Sequence, residues 1–488
     1  MKSILIIGSG ISSLSAASCL AEKGYKVTIL EKHDQPGGRI RMVEEKGFKF
    51  DLGPSWYWMP DVFERFFNKF GKTTADFYDL IRLDPSYQVI FEEDKTLQIS
   101  ADYKEIKNLF ESEEQGAAKS LDVFMDDAQF KYEQSMDRLV RKPSLSFMEF
   151  AEWSVIKNVF KIDLFSPISK GINKLFKNKA LKQLLEFPVL FLGAKPTEIP
   201  ALYSLMNYAD FKLGTWYPKG GMVQISRGFT KLAEGLGANI LLNKDVSEIV
   251  CEKDKVIGVK TTSGELIKAD VVLSGADYAF TETLLPIESR NYSYDYWEAQ
   301  TFAPSSLIFY LGVNKRIAKL KHHNLFFDTD FEKHAETIYD THEWPDKPLF
   351  YVCAPSVTED GVAPKDCENL FVLIPISTDL KDSEEVHDKL YNEVLERLEK
   401  YVGEEIRPYV DVKKHFSVKD FKSEYNSFGG NAYGLANTLK QTAFFKPKMK
   451  NKHLKNMYYT GQLTVPGPGV PPSIISGEIV ADLIQKEN

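Results

Sequence analysis

The sequence is poor in the features that mark secreted, membrane-spanning and nucleic-acid-binding proteins. Its four cysteines are scattered and form no Cys-x-x-Cys pair, so neither a disulfide framework nor a metal site is predicted, and the thiols suit a reducing compartment. Outside the N-terminus no uncharged apolar run approaches the ~20 residues of a transmembrane helix. The formal net charge of −8 argues against nucleic acid as a partner.

Size and aromatic content point instead to a large enzyme with an apolar site. At 488 residues the chain exceeds the usual size of a single hydrophobic core, so two domains are expected. Hydrophobic residues make up 43% of the sequence and include 33 Phe and 23 Tyr. This number is enough for the cores and leaves aromatic side chains for an apolar binding site.

Residues 3–31 carry the strongest motif. They predict a strand, a glycine turn at Gly8 and Gly10, a helix from Ile11, and a second strand that ends at Glu31. The glycines allow a pyrophosphate to approach the backbone at the helix N-terminus, and the carboxylate suits a ribose diol. Ser13 stands where this motif usually has Gly or Ala. An uncharged run over residues 3–21 also fits a secretion signal, but the glycines interrupt it. The motif predicts a dinucleotide site.

Nucleotide-domain patterns recur in the middle and near the end of the chain. Helical periodicity dominates residues 61–182, and four short strands with a meander follow between residues 239 and 274. A charged helix is predicted near residues 384–402, then a last strand at 457–460 and a helix from Ser473. We therefore predict an α/β protein with a discontinuous, Rossmann-like dinucleotide-binding domain (1–95, 200–290 and 430–488). An inserted α+β substrate and membrane-contact domain would comprise 96–199 and 291–429.

Two further features favour FAD over NAD. The turn at residues 36–39 follows Glu31 closely, and Arg39 can place a positive fork near a pyrophosphate. The Pro/Gly-rich loop at 461–472 precedes a helix whose N-terminus can stabilise reduced flavin. An ordinary proline-rich turn is the alternative for this loop.

Other motifs extend these features along nearly the whole chain. They lie at residues 50–55, 191–194, 216–222, 272–277, 310–312, 433–435 and 466–471. With these motifs the chain resembles the bacterial-type carotenoid desaturases, the phytoene desaturase family within the amine-oxidase-like flavoproteins. Gly275, Gln462, Val465 and Pro472 depart from the residues that this family usually has.

The resemblance implies a set of residues around FAD. Glu31 would hold the ribose, Arg39 and Ser55 would lie along the cofactor, and the backbone of Val246 would meet the adenine. The expected cofactor-binding residues are Gly8, Gly10, Ser12, Ser13, Glu31, Lys32, Gly38, Arg39, Gly53, Pro54, Ser55, Trp56, Val246, Gly461, Gln462 and Val470.

A carotene has no polar group to anchor it, so an apolar tunnel is expected. Its membrane location favours a peripheral contact, for which the basic and apolar segment 155–182 is the candidate. A solvated surface helix is the alternative for this segment. We therefore expect a cytoplasmic protein at the inner face of the cytoplasmic membrane.

The flavin would take a hydride while a neighbouring carbon loses a proton. No catalytic base is assigned: His322 and His323 are interpreted as exposed surface residues, and Asp277 and Glu478 as structural caps. With no second nucleotide motif, electrons are expected to pass to oxygen or a quinone.

The favoured reaction is the stepwise conversion of phytoene to lycopene. The main alternative is 3,4-desaturation of a 1-hydroxycarotenoid. A flavin amine oxidase with an aromatic cage and a non-enzymatic isoprenoid carrier are the alternatives from other classes.

Overall fold

The computed structural model describes residues 2–92, 95–136, 140–143, 166–190, 192–438 and 441–487. Its strands are β1 (Ser3–Ile7), β2 (Lys26–Leu30), β3 (Met42–Glu45), β4 (Phe48–Asp51), β5 (Leu80–Arg82), β6 (Tyr87–Phe91), β7 (Thr96–Ile99), β8 (Trp216–Pro218), β9 (Asn239–Leu241), β10 (Val246–Glu252), β11 (Lys255–Thr261), β12 (Leu266–Lys268), β13 (Val271–Ser274), β14 (Ser305–Val313), β15 (His323–Phe327), β16 (Phe350–Cys353), β17 (Glu368–Ile376), β18 (Val410–Phe416) and β19 (Met457–Tyr459). Its helices are α1 (Ile11–Glu22), α2 (Pro60–Asn68), α3 (Tyr103–Glu113), α4 (Ala117–Gln134), α5 (Ile168–Leu175), α6 (Lys179–Leu190), α7 (Leu205–Tyr208), α8 (Val223–Gly235), α9 (Tyr278–Thr283), α10 (Tyr294–Glu298), α11 (Phe331–Glu336), α12 (Glu384–Val402), α13 (Val418–Tyr425) and α14 (Val470–Glu487).

A parallel sheet carries the first motif. Its five strands lie in the order β19-β13-β1-β2-β9, and β1 pairs with β2 on one side and β13 on the other. Ile4 to Ile7 are all buried, as expected for a central strand in a sheet covered on both faces. Helix α1 packs against α8 and α14. Gly477 permits this close approach, because a Cβ there would lie 2.3 Å from the carbonyl oxygen of Ser12.

A second sheet of seven strands builds the other half of the molecule. The order is β18-β14-β17-β16-β15-β6-β7, and every pair is antiparallel except β15 with β6. One face packs on α12 through Leu390, Val394 and Leu398, which are nearly inaccessible to solvent. The mixed sheet agrees with the α+β character predicted for the inserted domain.

Strands β5, β6 and β7 lie within residues 61–182, where the sequence shows mainly helical periodicity, and were not predicted. They are three to five residues long and flanked by charged residues, which gave this region a helix-like spacing. Because β6 and β7 pair within the seven-stranded sheet, residues 87–91 lie with the second half although they precede the predicted boundary at residue 95.

Other elements agree with the sequence prediction. The meander is the three-stranded sheet β10-β11-β12, and the charged helix is α12 with the bounds expected. Helix α14, by contrast, begins at Val470 and not at Ser473. Its first turn accommodates Pro471 and Pro472, because backbone N–H groups there have no partner within the helix.

The basic and apolar segment 155–182 is only partly described, since residues 155–165 lie outside the described ranges. In α5, Ile168 and Ile172 are buried, whereas Lys170 and Lys174 face solvent. The apolar residues of this helix are therefore used in packing against the protein. Within the described ranges, no helix is both long enough and apolar enough to cross a bilayer.

Candidate active site

The glycine turn after β1 leaves open space at the start of α1. Gly8 has a φ of +81°, which favours glycine, and its N–H donates to the carbonyl of Leu30 at 2.8 Å. At Gly10 an added Cβ would meet no protein atom within 4 Å. A side chain there would project into a cavity, at the helix end where free N–H groups attract anions. The turn therefore has the shape expected of a pyrophosphate site.

Glu31 is fixed at the end of β2 by hydrogen bonds from its neighbours. Its Oε2 accepts from the backbone N–H of Ser9 at 2.8 Å and from the Ser9 hydroxyl at 2.5 Å. Its Oε1 accepts from the N–H of His33 at 3.0 Å. One carboxylate oxygen therefore keeps lone-pair capacity for a ribose hydroxyl, and the side chain is already oriented.

Segments distant in sequence meet around one cavity of about 750 Å³. The wall includes parts of the first 60 residues, the start of β10, and the loop that leads into α14. The predicted cofactor residues that line it are Gly8, Gly10, Ser12, Glu31, Lys32, Gly38, Arg39, Gly53, Pro54, Ser55, Trp56, Val246, Gly461, Gln462 and Val470.

Ser13 does not line this cavity. It is fully buried, and its Oγ has no hydrogen-bond partner within the described ranges. An added Cβ at Gly275 would lie 1.9 Å from that Oγ. The hydroxymethyl group of Ser13 is therefore accommodated because residue 275 is glycine, which connects two departures from the usual motifs.

Two residues in the cavity wall, Arg39 and Asp277, each have one polar atom without a protein partner among the described residues. Arg39 Nε and Asp277 Oδ2 are buried and make no hydrogen bond to a described residue, although Arg39 Nη2 donates to Ser427 Oγ at 3.0 Å. Burial lowers the pKa of Arg39 and raises that of Asp277 to about 6. Unpaired buried polar groups are costly, so these atoms fit a polar ligand. A free guanidinium donor and a carboxyl group match the phosphates and hydroxyls of FAD.

The cavity also has an apolar part that the sequence motifs did not identify. It is formed by α6 and α7, by the segments that follow α4 and precede α7, and by the segment before β19. Its lining residues include Met136, Val140, Pro188, Leu192, Leu202, Tyr203, Leu205, Met206, Phe444 and Phe445. The surplus of aromatic and aliphatic residues was the only sequence signal for this region.

His322 and His323 are buried, so their interpretation as surface residues was wrong. They are 4% and 0% exposed, because β15 is an inner strand of the seven-stranded sheet. His323 stacks on Trp56 with ring centroids 4.1 Å apart, which brings it directly behind the cavity wall.

Asp277 and Glu478 were both interpreted as caps. Asp277 is one, since it accepts from the N–H of Phe280 at the start of α9. Glu478 is not, because it lies inside α14 and pairs with Lys69 and Arg141.

Comparisons with known proteins agree with this geometry. A family model described as flavin containing amine oxidoreductase matches residues 11–485. The chain is 38% identical over 485 residues to a carotenoid 3,4-desaturase of Haloarcula japonica, covering 99% of this chain and 98% of that protein. It is 31% identical over 502 residues to a 4,4'-diapophytoene desaturase of Staphylococcus haemolyticus, covering 99% of each. A solved putrescine oxidase variant shares the fold, with a TM-score of 0.63, 14% identity, and coverage of 100% of this chain and 99% of that one.

The matches extend over nearly the whole length of the chain and include the residues of both the glycine turn and the apolar part of the cavity. They confirm FAD as the cofactor and an enzymatic role, and they set aside the isoprenoid carrier. The chain belongs to the flavin-containing amine oxidoreductase family and is an FAD-dependent oxidoreductase of the carotenoid desaturase group.

Proposed function

We propose that this desaturase converts phytoene stepwise to lycopene. The observation that carries the proposal is the continuity of the apolar part of the cavity with the groove of the glycine turn. A linear hydrocarbon placed along Leu202, Leu205 and Met206 would contact apolar side chains there and extend toward the cofactor. Such a substrate is bound by shape and apolar contact alone.

In this proposal the chain supplies binding, alignment and a dry chamber. FAD, when bound, accepts a hydride from the carbon chain. Glu31 would hold the ribose, Gly10 and Gly38 would leave room for the pyrophosphate, and Arg39 would place its free donor beside it. Val246 would face the adenine, and residues 461–470 would pass the pyrophosphate and the flavin ring.

The test is expression in a bacterium that accumulates phytoene, followed by pigment extraction. We expect lycopene or its partly desaturated precursors. The matched control is Gly10→Val, whose side chain would occupy the groove and which should leave phytoene unchanged. If the wild-type protein leaves phytoene unchanged but converts a 1-hydroxycarotenoid, the proposal is wrong.

The second candidate is 3,4-desaturation of a hydroxylated carotenoid. Polar groups in the wall of this cavity favour it. Among the described residues Asn437 Oδ1 is buried without a hydrogen-bond partner, and Tyr203 and Thr442, which line the same cavity, share a hydrogen bond of 3.0 Å. A tertiary hydroxyl would satisfy Asn437. Incubating the purified protein with phytoene and with a 1-hydroxycarotenoid separates the two candidates.

We also propose a peripheral contact with the inner face of the cytoplasmic membrane, and reoxidation by oxygen or a quinone. Exposed Lys170, Lys174, Lys177 and Lys179 support the contact, because they can approach anionic lipid without insertion of an apolar face. Cosedimentation with anionic and neutral vesicles tests it, with Lys170→Glu combined with Lys174→Glu as the comparison. Binding that is equal for both vesicle types would contradict it.

A further inference from the structure

A chain of side-chain hydroxyls and imidazoles runs behind the wall of the cavity. It begins at Ser55 and Tyr351, which both line the cavity. The hydroxyl of Tyr351 donates to Ser55 Oγ at 3.0 Å. The same hydroxyl lies 2.6 Å from Nδ1 of His323. A polar path therefore leaves the chamber through an otherwise aromatic wall.

The path continues through the second histidine toward the surface. The rings of His323 and His322 have centroids 4.5 Å apart, and the Nε2 atoms of both are buried with no hydrogen-bond partner in the part of the chain that the structure describes. His322 Nδ1 lies 2.7 Å from Thr358 Oγ1. Thr358 lines an open surface pocket together with Glu359 and Asp360, so the path ends at solvent.

A small cavity borders His322, next to the break between the two imidazoles. It measures about 20 Å³ and is lined by Ser55, His322 and Cys353, among others. A space of this size holds one water molecule. One polar atom each of His322, His323 and Cys353 lies within 4.8 Å of the other two, a spacing that one water molecule beside His322 can bridge. Ser55 lines both this cavity and the main one, so the bridge meets the chamber directly.

Desaturation needs such a path, because it creates a proton in an apolar chamber. One hydrogen leaves with its electron pair as hydride to the oxidised flavin. The electron pair of the neighbouring C–H bond becomes the π bond, and its proton has to leave. An isolated charge is strongly disfavoured in a medium of low dielectric constant, so the proton cannot stay there.

We propose that the chain Ser55–Tyr351–His323–His322–Thr358, with one water in the small cavity, carries this proton from the reaction chamber to the surface. The inference rests on the proposed desaturation. Each hydroxyl or imidazole in turn accepts a proton from the chamber side and releases one on the solvent side. The hydroxyl of Tyr351, which donates to Ser55 at rest, turns toward His323 Nδ1 to pass the proton on. Once the hydroxyls have rotated back and the imidazole tautomers have reset, the net result of each turnover is one proton delivered to bulk water.

Burial sets the protonation state that this role needs. It lowers the pKa of His322 to about 3 and holds that of His323 well below its usual value. Asp51, Tyr217 and Cys353 also border the small cavity. Both imidazoles are neutral near pH 7, so they pass a proton on and do not store it.

The main test uses Tyr351→Phe and Thr358→Val in the flavin-loaded full-length enzyme. Each change removes one hydroxyl, and Thr358 lies outside the chamber, where it cannot affect carotenoid binding directly. We expect turnover to fall about tenfold or more, with a larger solvent deuterium isotope effect and an unchanged KM. The matched control is Thr337→Val, which removes a partly buried hydroxyl bonded to the carbonyl of His334 and should leave turnover as in the wild type.

A second arm needs no carotenoid. Photochemical reduction of the bound flavin by two electrons takes up one proton, so the same variants should slow it in D₂O more than they slow the wild type. If the wild type desaturates no carotenoid, the proposed function fails while this arm still tests the chain. Wild-type rates and isotope effects in both variants would overturn the inference. A stoichiometric metal ion in the purified enzyme, bound by His322, His323 and Cys353, would also overturn it.

Discussion

The groove at the parallel sheet and the apolar part of the cavity solve two opposite binding problems. The groove around the glycine turn is lined largely by backbone, because Gly8, Gly10 and Gly38 carry no side chains. The apolar part is made almost entirely of side chains from separate elements. A charged cofactor needs N–H groups at fixed places, whereas a hydrocarbon needs only a shape. The first requirement restricts residue types strongly, and the second restricts them little.

The largest expected effect comes from a substitution that blocks the groove and leaves the apolar part unchanged. Gly10→Ala adds a Cβ that meets no protein atom within 4 Å, and the φ of −63° suits any residue. Folding stability should stay unchanged while FAD affinity falls by a factor of about 100, or roughly 3 kcal/mol, because the methyl group occupies cofactor space. Titration of the apoprotein with FAD, monitored by flavin fluorescence, measures the affinity.

The control for this change is Gly171→Ala. Gly171 is an exposed glycine in α5 where an added Cβ also meets no atom. It should bind FAD as the wild type does and gain up to about 1 kcal/mol of stability. Normal flavin binding by Gly10→Ala would contradict the assignment of this groove to the pyrophosphate.

The next effect tests the loop where the two parts meet. Lys446 Nζ lies beside Gly467, buried and with no hydrogen-bond partner among the described residues, and burial lowers its pKa to about 7. The unfolded chain binds this proton below about pH 10.5, whereas the folded chain binds it only below about 7. The free energy of unfolding should therefore rise with pH across this window.

Lys446→Met should remove that slope and stabilise the protein at pH 7 by about 3 kcal/mol. Urea unfolding at pH 7 and pH 9.5 measures both effects. Lys455→Met, at an exposed ion pair with Asp254, is the control and should change stability by less than about 1 kcal/mol. A wild-type pH slope in Lys446→Met would show that another group is responsible.

A smaller effect concerns the packing beneath the groove. Gly275→Ala should cost about 2 kcal/mol, because the new Cβ would overlap Ser13 Oγ. Ser13→Gly combined with Gly275→Ala should recover most of this loss. A double-mutant cycle by thermal unfolding gives the coupling, and purely additive effects would show that the two sites are independent.

The smallest effect perturbs the apolar part and should leave the groove intact. Met206→Phe places a rigid ring in the wall and narrows the apolar part of the cavity. The KM for the carotenoid should therefore rise about tenfold, which corresponds to roughly 1.4 kcal/mol of binding free energy. Flavin content and its absorbance spectrum should stay those of the wild type. Loss of flavin in this variant would mean that the two parts of the cavity are not separable.

These differences also explain what the sequence could predict. The glycine turn, Glu31 and the closing loop were recognisable because FAD demands particular residues at particular spacings. The apolar residues that line the cavity have no such signature, since each of them would be equally at home in a core. His322 and His323 were misjudged because neighbouring lysines suggested a surface, whereas strand pairing places β15 inside a sheet.

The groove is assembled from residues 3–55 and from β19 and α14, which are separated by some four hundred residues of the sequence. During synthesis the flavin groove therefore cannot close around the early glycine turn until the strand at Met457–Tyr459 has left the ribosome. A nascent chain halted before that strand carries the motif but offers flavin no closed pocket.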